Sequence, residues 1–178
     1  MDRSVPARAV VPAARARSAH PAARVRRGRA LAAGCTLLAA LTACGSDPVP
    51  VAVPEPAPEV VDACTTLIKA FPPKVLDAER RDTDPVSPLT AAYGDPPIEV
   101  TCGVSPPAGM AEAQSQCFEV NGVGWYAKEA ANGVIFTTIG RTLYLELAIP
   151  KKYTPEANAL TDVSDAVKAH NTLITPCT

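Results

Sequence analysis

Apolar residues recur at helical spacing in two parts of this chain. The consecutive prolines Pro72 and Pro73 would end the first helix, because the residue before a proline avoids the helical region. For the second helix, Thr154 suits an N-cap and Pro155 a first helical residue. The apolar positions are Val60, Cys64, Leu67, Ile68 and Phe71 in the first helix and Leu160, Val163 and Val167 in the second.

Between the two helices the apolar period changes to two, which is the period of half-buried strands. The dipeptide Asn121-Gly122 favours a tight hairpin, because a type I′ turn needs positive φ at both central positions. Residues 74–97 are rich in proline and charge, and they are interpreted as irregular. The predicted strands lie within residues 98–104, 118–126, 134–138 and 143–149.

These elements predict one α+β domain over residues 59–178. Its core would be a small antiparallel sheet of about four or five strands with two helices packed on one face. Residues 44–58 carry five prolines and are expected to form an extended, semi-rigid tether in front of the domain, holding it off a membrane.

Residues 1–43 have the character of a signal peptide. Residues 30–43 are uncharged and largely apolar, and eight arginines precede them. A membrane-spanning helix needs roughly 20 apolar residues, so this shorter run behind a basic flank favours export. Leu41-Thr42-Ala43-Cys44 resembles the lipobox of bacterial lipoproteins. That resemblance implies cleavage before Cys44, a lipid on its thiol, and anchorage on the extracytoplasmic face of the cell membrane.

The charge of the chain is divided unevenly at Cys44. Eight arginines and one acid precede it, which leaves nine Lys and Arg against 17 Asp and Glu from Cys44 onward, a net charge of about −8. Such an acidic domain argues against nucleic acid as a partner.

Four cysteines remain after Cys44, an even number that favours disulfides in an oxidising compartment. Cys64 and Cys102 both lie on apolar faces that should point into one core, whereas Cys117 points outward. These faces favour the pairs Cys64–Cys102 and Cys117–Cys177 among the three possible pairings. Zinc is the alternative, but the spacings contain no C-x₂₋₄-C unit.

Few side chains of the domain suggest catalysis. His170 is its one histidine. No free cysteine and no serine within a recognisable nucleophile motif accompanies it. Asp82, Asp84 and Asp95 could act as paired carboxylates, although a solvated charge cluster is the simpler interpretation.

More side chains of the domain are of the types that bind a partner than of the types that catalyse a reaction. Trp125, Tyr93 and Arg141 belong to the residue types that anchor interfaces, so they are the candidate binding surface. For Trp125, filling the core is the simpler alternative.

The chain also resembles a known family, the actinobacterial lipoproteins called domain of unknown function 3515. That resemblance implies an envelope lipoprotein and carries no catalytic residues. It rests on the stretches VVDACTTLIKAFPPKVLDAERR, LTAAYGDPPIEVTCGVSPP, CFEVNGVGWY and FTTIGRTLYLELAIPKKYTPEANAL, within residues 53–167.

The sequence supports three functional hypotheses. The first is a non-enzymatic lipoprotein, without metal or cofactor, that binds an envelope protein or a cell-wall component. The second is an assembly accessory with no ligand of its own. The third is a cell-envelope hydrolase that uses carboxylates of the 77–97 segment. An exposed aromatic patch around Trp125 would favour the first hypothesis, and a cleft lined by two of the acids would favour the third.

Overall fold

The computed structural model describes residues 47–111 and 117–177. The predicted signal peptide and the predicted lipidation site, Cys44, lie outside the described residues. The two predicted helices are present as α1 (Pro58–Lys69) and α2 (Asn158–His170). Within the described part of the chain, neither helix is long and apolar enough to cross a bilayer.

Within these residues the chain forms ten strands, eight of which make one antiparallel sheet in the order β2-β3-β5-β6-β10-β9-β8-β7. The strands are β1 (Val49–Pro50), β2 (Lys74–Val75), β3 (Ala78–Arg81), β4 (Thr83–Asp84), β5 (Thr90–Tyr93), β6 (Ile98–Cys102), β7 (Phe118–Val120), β8 (Val123–Ala130), β9 (Gly133–Thr138) and β10 (Leu145–Pro150).

The α+β class is confirmed, but the expected sheet of four or five strands is too small. The difference lies mainly in residues 74–97, which contain β2 to β5 and are not irregular as expected. β5 lacks alternation because all four of its residues are buried, and two of them are alanines, which seldom indicate strands. β3 is polar throughout apart from Ala78.

The start of α2 is also different from the prediction. Thr154 does not cap the helix, because its hydroxyl donates back to the Lys151 carbonyl, 2.7 Å away. That contact closes a short 3-10 turn over Lys151–Tyr153, and α2 begins four residues after Thr154.

The main core lies between the two helices and one face of the sheet. The alternating residues of β6 and β10 point into it, and they meet the apolar faces of both helices. A disulfide joins Cys64 on α1 to Cys102 on β6, and another joins Cys117 to Cys177. This is the pairing that the faces of the helix and strands favoured.

The other face of the sheet carries no helix, and we call it the open face. Part of the segment expected to be an extended, semi-rigid tether is packed there. β1 runs parallel to β4, with Val49 N donating to the Asp82 carbonyl at 2.8 Å. Val49 and Val51 are buried in a small apolar cluster with Ala92 of β5.

The two ends of the sheet differ in the connections that they carry. One end, which we call the cleft end after the clefts described below, carries three connections: the turn after β5 (94–97), the β8–β9 turn (131–132) and the start of the 3-10 turn after β10. The far end carries the Asn121-Gly122 hairpin, in which both residues have the positive φ expected from the sequence, 49° and 78°.

Candidate functional site

The open face is covered at two places and accessible between them. The β1–β4 ribbon covers β5 on one side. On the other side the loop after β6 crosses β8, with Met110 buried and Gly109 against the Tyr126 hydroxyl. The strip left between these covers consists of the outward-facing residues of β6 and β10 together with Ile135 of β9, all of them partly exposed.

A pair of half-buried glutamates occupies this strip. Glu99 of β6 and Glu146 of β10 are diagonal neighbours, because Glu99 pairs with Ala148 and Glu146 with Thr101. Diagonal neighbours on one sheet face lie about 7–8 Å apart at Cα, within reach of two long side chains. None of the ion pairs found among the described residues includes either glutamate.

Burial raises the pKa of both glutamates. For Glu99, repulsion from Glu146 raises the pKa further, whereas for Glu146 the charge of Lys128 opposes the rise. The charged forms are therefore disfavoured in the free protein, and a cation beside the pair would relieve that cost.

A spare hydroxyl lies next to Glu146. Thr137 of β9 is directly opposite Glu146 in the ladder, and it is fully buried. Its Oγ1 has no hydrogen-bond partner among the described residues. An unpaired buried hydroxyl costs stability, so this position offers a donor or acceptor that the described side chains do not use.

Two adjoining clefts open at the cleft end beside Glu99. One, of about 190 Å³, continues over the apolar surface of Ile135 and Ala148; the other, of about 420 Å³, is bordered by Lys151 and Lys152. Both clefts share Glu99 as a lining residue, and we call them together the Glu99 cleft. The other lining residues shared by both clefts are Pro97, Asn132 and Pro150.

Glu99→Gln is expected to stabilise the domain at neutral pH. A carboxyl whose pKa is raised by folding binds protons more tightly in the folded state. Its contribution to the stability of the domain is therefore fully present below the ordinary pKa of 4.5. That contribution is lost as the pH rises through the higher folded pKa, and glutamine avoids the loss. Urea unfolding should therefore show a larger gain for the variant at pH 7.5 than at pH 4.

The exposed Glu129→Gln on β8 is the control for this comparison, and it should behave like the unaltered protein at both pH values. A Glu99→Gln variant that is less stable at pH 7.5 would contradict the argument. That result would mean that the Glu99 carboxylate is held by a favourable contact.

The aromatic residues named for the candidate binding surface lie inside the domain. Trp125 and Tyr93 are both fully buried in the main core, so the exposed aromatic patch that would favour a Trp125 interface is not found. The Tyr93 hydroxyl donates to the Pro72 carbonyl at 3.0 Å, and the Arg80 guanidinium lies 5.9 Å from the centre of the ring. Tyr93 therefore holds the segment after α1 to the sheet.

Arg141 is also buried, with 6% of its surface exposed. Its guanidinium donates to the carbonyl of Asn171 at 2.6 Å and to that of Gly122 at 2.8 Å. It clamps the segment after α2 to the β7–β8 hairpin, and burial lowers its pKa. These contacts explain Arg141 as a structural residue.

The candidate catalytic residues are scattered and exposed. Asp82 and Asp84 flank the β1–β4 pairing, and both accept hydrogen bonds from β1 and the residue after it through their backbone carbonyls. Asp95 is in the turn after β5, and His170 ends α2 at the far end. The structure does not bring these residues to one cleft, and it is Glu99 and Glu146 that come together instead.

Metal ligation by protein side chains requires a cluster of His, Cys, Asp or Glu. In the part of the chain that the structure describes, no three of these residues are grouped so that they could hold an ion.

Comparison with known proteins identifies a family. No curated protein and no solved structure matched the chain. The model of a family described as "Protein of unknown function (DUF3515)" matches residues 28–173, which include nearly all of the fold described above. The chain therefore belongs to the DUF3515 family.

Proposed function

We propose that this protein is an exported lipoprotein, anchored at Cys44 to the extracytoplasmic face of an actinobacterial cell membrane, that works by binding. The single observation that carries the binding role is the accessible strip of the open face. It combines a half-buried carboxylate pair with a cleft whose walls are mostly apolar. Ligand sites typically place a few polar groups in such a concave, mostly apolar setting.

The composition of the strip favours a ligand with an apolar part and a positive charge. Ile135, Ala148 and Pro150 offer apolar contact, while neither Glu99 nor Glu146 takes part in the ion pairs found among the described residues. A ligand cation would stabilise both charged carboxylates at once, which is a larger gain than pairing one exposed acid.

The anchor is tested by replacing Cys44. The mass of protein extracted from membranes should show a lipid on the peptide that begins at residue 44. The Cys44→Ala variant should leave the membrane fraction, because it lacks the acyl chains that give the lipidated protein its lasting attachment. A Cys44→Ser variant is the matched control for volume and should behave in the same way. Retention of both variants in the membrane fraction at the level of the unaltered protein would contradict lipidation as the anchor.

The binding role is tested by crosslinking in living cells from a photoreactive residue at Ala130, which lines the Glu99 cleft. A second photoreactive residue at Ala169, exposed near the end of α2, is the control. A product captured from Ala130 and reduced by Glu99→Gln would support the proposal. Identical products from both positions would contradict a specific site on the open face.

A second function, hydrolysis, is favoured by one observation. Paired carboxylates with raised pKa are the groups that general acid–base hydrolysis uses. The geometry favours binding over hydrolysis, because Glu99 lines the cleft whereas Glu146 does not, and two-carboxylate hydrolysis needs both groups beside the scissile bond. Turnover of cell-wall fragments that is lost in both Glu99→Gln and Glu146→Gln would decide for the enzyme.

A further inference from the structure

We propose that the cleft end of the domain docks on the membrane, and that the Glu99 cleft receives phospholipid headgroups that carry both a phosphate and an ammonium group. This inference rests on the proposed lipidation of Cys44, and it identifies the ligand class of the proposed binding site. Three observations carry it: the short chain between the anchor and the domain, the position of Asp47, and the charges that line the cleft.

The chain becomes part of the domain three residues after Cys44. The Asp47 carbonyl accepts a hydrogen bond from Arg81 Nη2 at 2.5 Å, and Val49 and Val51 are buried against the open face. Three residues span at most about 10 Å even when fully extended. The eight residues of β8 alone extend about 27 Å along the sheet. The anchor is therefore too short for the domain to stand on the bilayer by the far end of the sheet alone.

Asp47 lies at the same end of the sheet as the cleft. The Arg81 guanidinium that binds Asp47 also donates to the Gly94 carbonyl at 2.8 Å. The next residue along the turn, Asp95, accepts a hydrogen bond from Lys152 Nζ through its carbonyl. Lys152 borders the Glu99 cleft, so a chain of direct contacts connects Asp47 to the proposed site.

The charges at this end are mixed in sign. Lys151 and Lys152 are exposed at the border of the cleft, while Asp47 and Asp95 are exposed at the same end of the sheet. Such a balance gives little attraction to a purely anionic surface, and it complements headgroups that carry both signs. The lysines suit the phosphate, and the half-buried Glu99 suits the ammonium group, whose charge would offset the repulsion from Glu146.

The apolar lining of the cleft agrees with this assignment. Pro96, Pro97 and Pro150 border the part that also contains the lysines, and the other part continues over Ile135 and Ala148. A headgroup bound with its phosphate at the lysines would place its glycerol carbons against the prolines. Apolar contact of this kind supplies affinity that exposed ion pairs alone do not.

Depth-dependent quenching tests the docking. The full lipidated chain is placed in vesicles of phosphatidylethanolamine and phosphatidylcholine, with a fluorophore on Ala131→Cys at the cleft end or on Ala169→Cys near the far end. Both alanines are exposed, and mass analysis confirms the native disulfides and the lipid on Cys44. Lipids with a headgroup quencher should quench residue 131 at least threefold more than residue 169. Equal quenching would overturn the docking, and a missing lipid in the mass analysis would instead contradict the proposed anchor.

A longer tether separates the cleft's own affinity from the restraint of the anchor. Fifteen Gly and Ser residues inserted between Ser46 and Asp47 should leave residue 131 preferentially quenched, because the cleft still binds headgroups. The preference should fall at least threefold in Glu99→Gln and in the double variant Lys151→Gln/Lys152→Gln, but not in Lys69→Gln, an exposed lysine on α1 and away from the open face. It should also fall in vesicles of phosphatidylglycerol, which lacks the ammonium group. Loss of the preference on insertion alone, or an undiminished preference for residue 131 in phosphatidylglycerol vesicles, would overturn headgroup binding.

Discussion

Replacing Cys64 and Cys102 together by alanine is expected to lower the free energy of unfolding by at least about 4 kcal/mol. The disulfide closes a separation of 38 residues, for which loss of chain entropy in the unfolded state gives about that value. Both cysteines are fully buried in the main core, so removal of their sulfur atoms also leaves unfilled space. Urea denaturation of the variant beside the unaltered protein measures the difference.

The pair Cys117 and Cys177 is the matched comparison. Its separation is 60 residues, so chain entropy alone would make its loss slightly the more costly of the two. Both of these cysteines are partly exposed, and no core cavity would follow their replacement. We therefore expect the smaller loss of stability at Cys117 and Cys177. The opposite order would show that loop length outweighs burial in this domain.

Trp125→Ala is expected to lower the free energy of unfolding by about 3 kcal/mol. Truncating a fully buried tryptophan typically costs about 3–5 kcal/mol through lost burial and the cavity that remains. The lower value is expected because the indole Nε1 has no hydrogen-bond partner among the described residues, so the change also removes an unpaired buried donor. Thermal and urea unfolding followed by far-UV circular dichroism would measure the loss.

Lys128→Ala on the same strand is the control for Trp125→Ala. Lys128 is exposed on the open face, and its replacement should change stability by less than about 0.5 kcal/mol. If Trp125→Ala left stability unchanged but abolished capture of a partner, Trp125 would be a binding residue after all. The buried position of its ring argues for the structural outcome.

The sequence predicted those parts of the fold in which one face meets the core and the other does not. α1 and β6 are recognisable by their periodicity, and the Asn121-Gly122 turn by the φ values that it needs. β5 could not be found in this way, because the β1–β4 ribbon covers its second face and removes the alternation. That ribbon depends on a parallel pairing between residues more than 30 positions apart, which no local pattern encodes.

The candidate site was missed for a related reason. Glu99 and Glu146 both stand at the polar positions of predicted strands, where a solvent-exposed side chain is the ordinary expectation. They become a pair only because β10 returns to lie beside β6, with the β7–β8–β9 meander on its other side. For Arg141 the error was the reverse, because it was predicted to belong to a binding surface and is buried in the structure. A long cationic side chain suggests an interface, but Asn171 and Gly122 supply the carbonyls that allow its burial.

The disulfide pairing is consecutive along the chain, and this affects how the domain can oxidise. Among the four paired cysteines, the first joins the second and the third joins the fourth. A chain delivered from its N-terminus would present Cys64 and Cys102 to an oxidant before Cys117 or Cys177 had arrived. Oxidation in the order of synthesis would then give the native bonds directly, without the slow exchange through mixed disulfides that interleaved pairings require. Maturation of this protein should therefore depend on a thiol oxidant and be indifferent to loss of a disulfide isomerase.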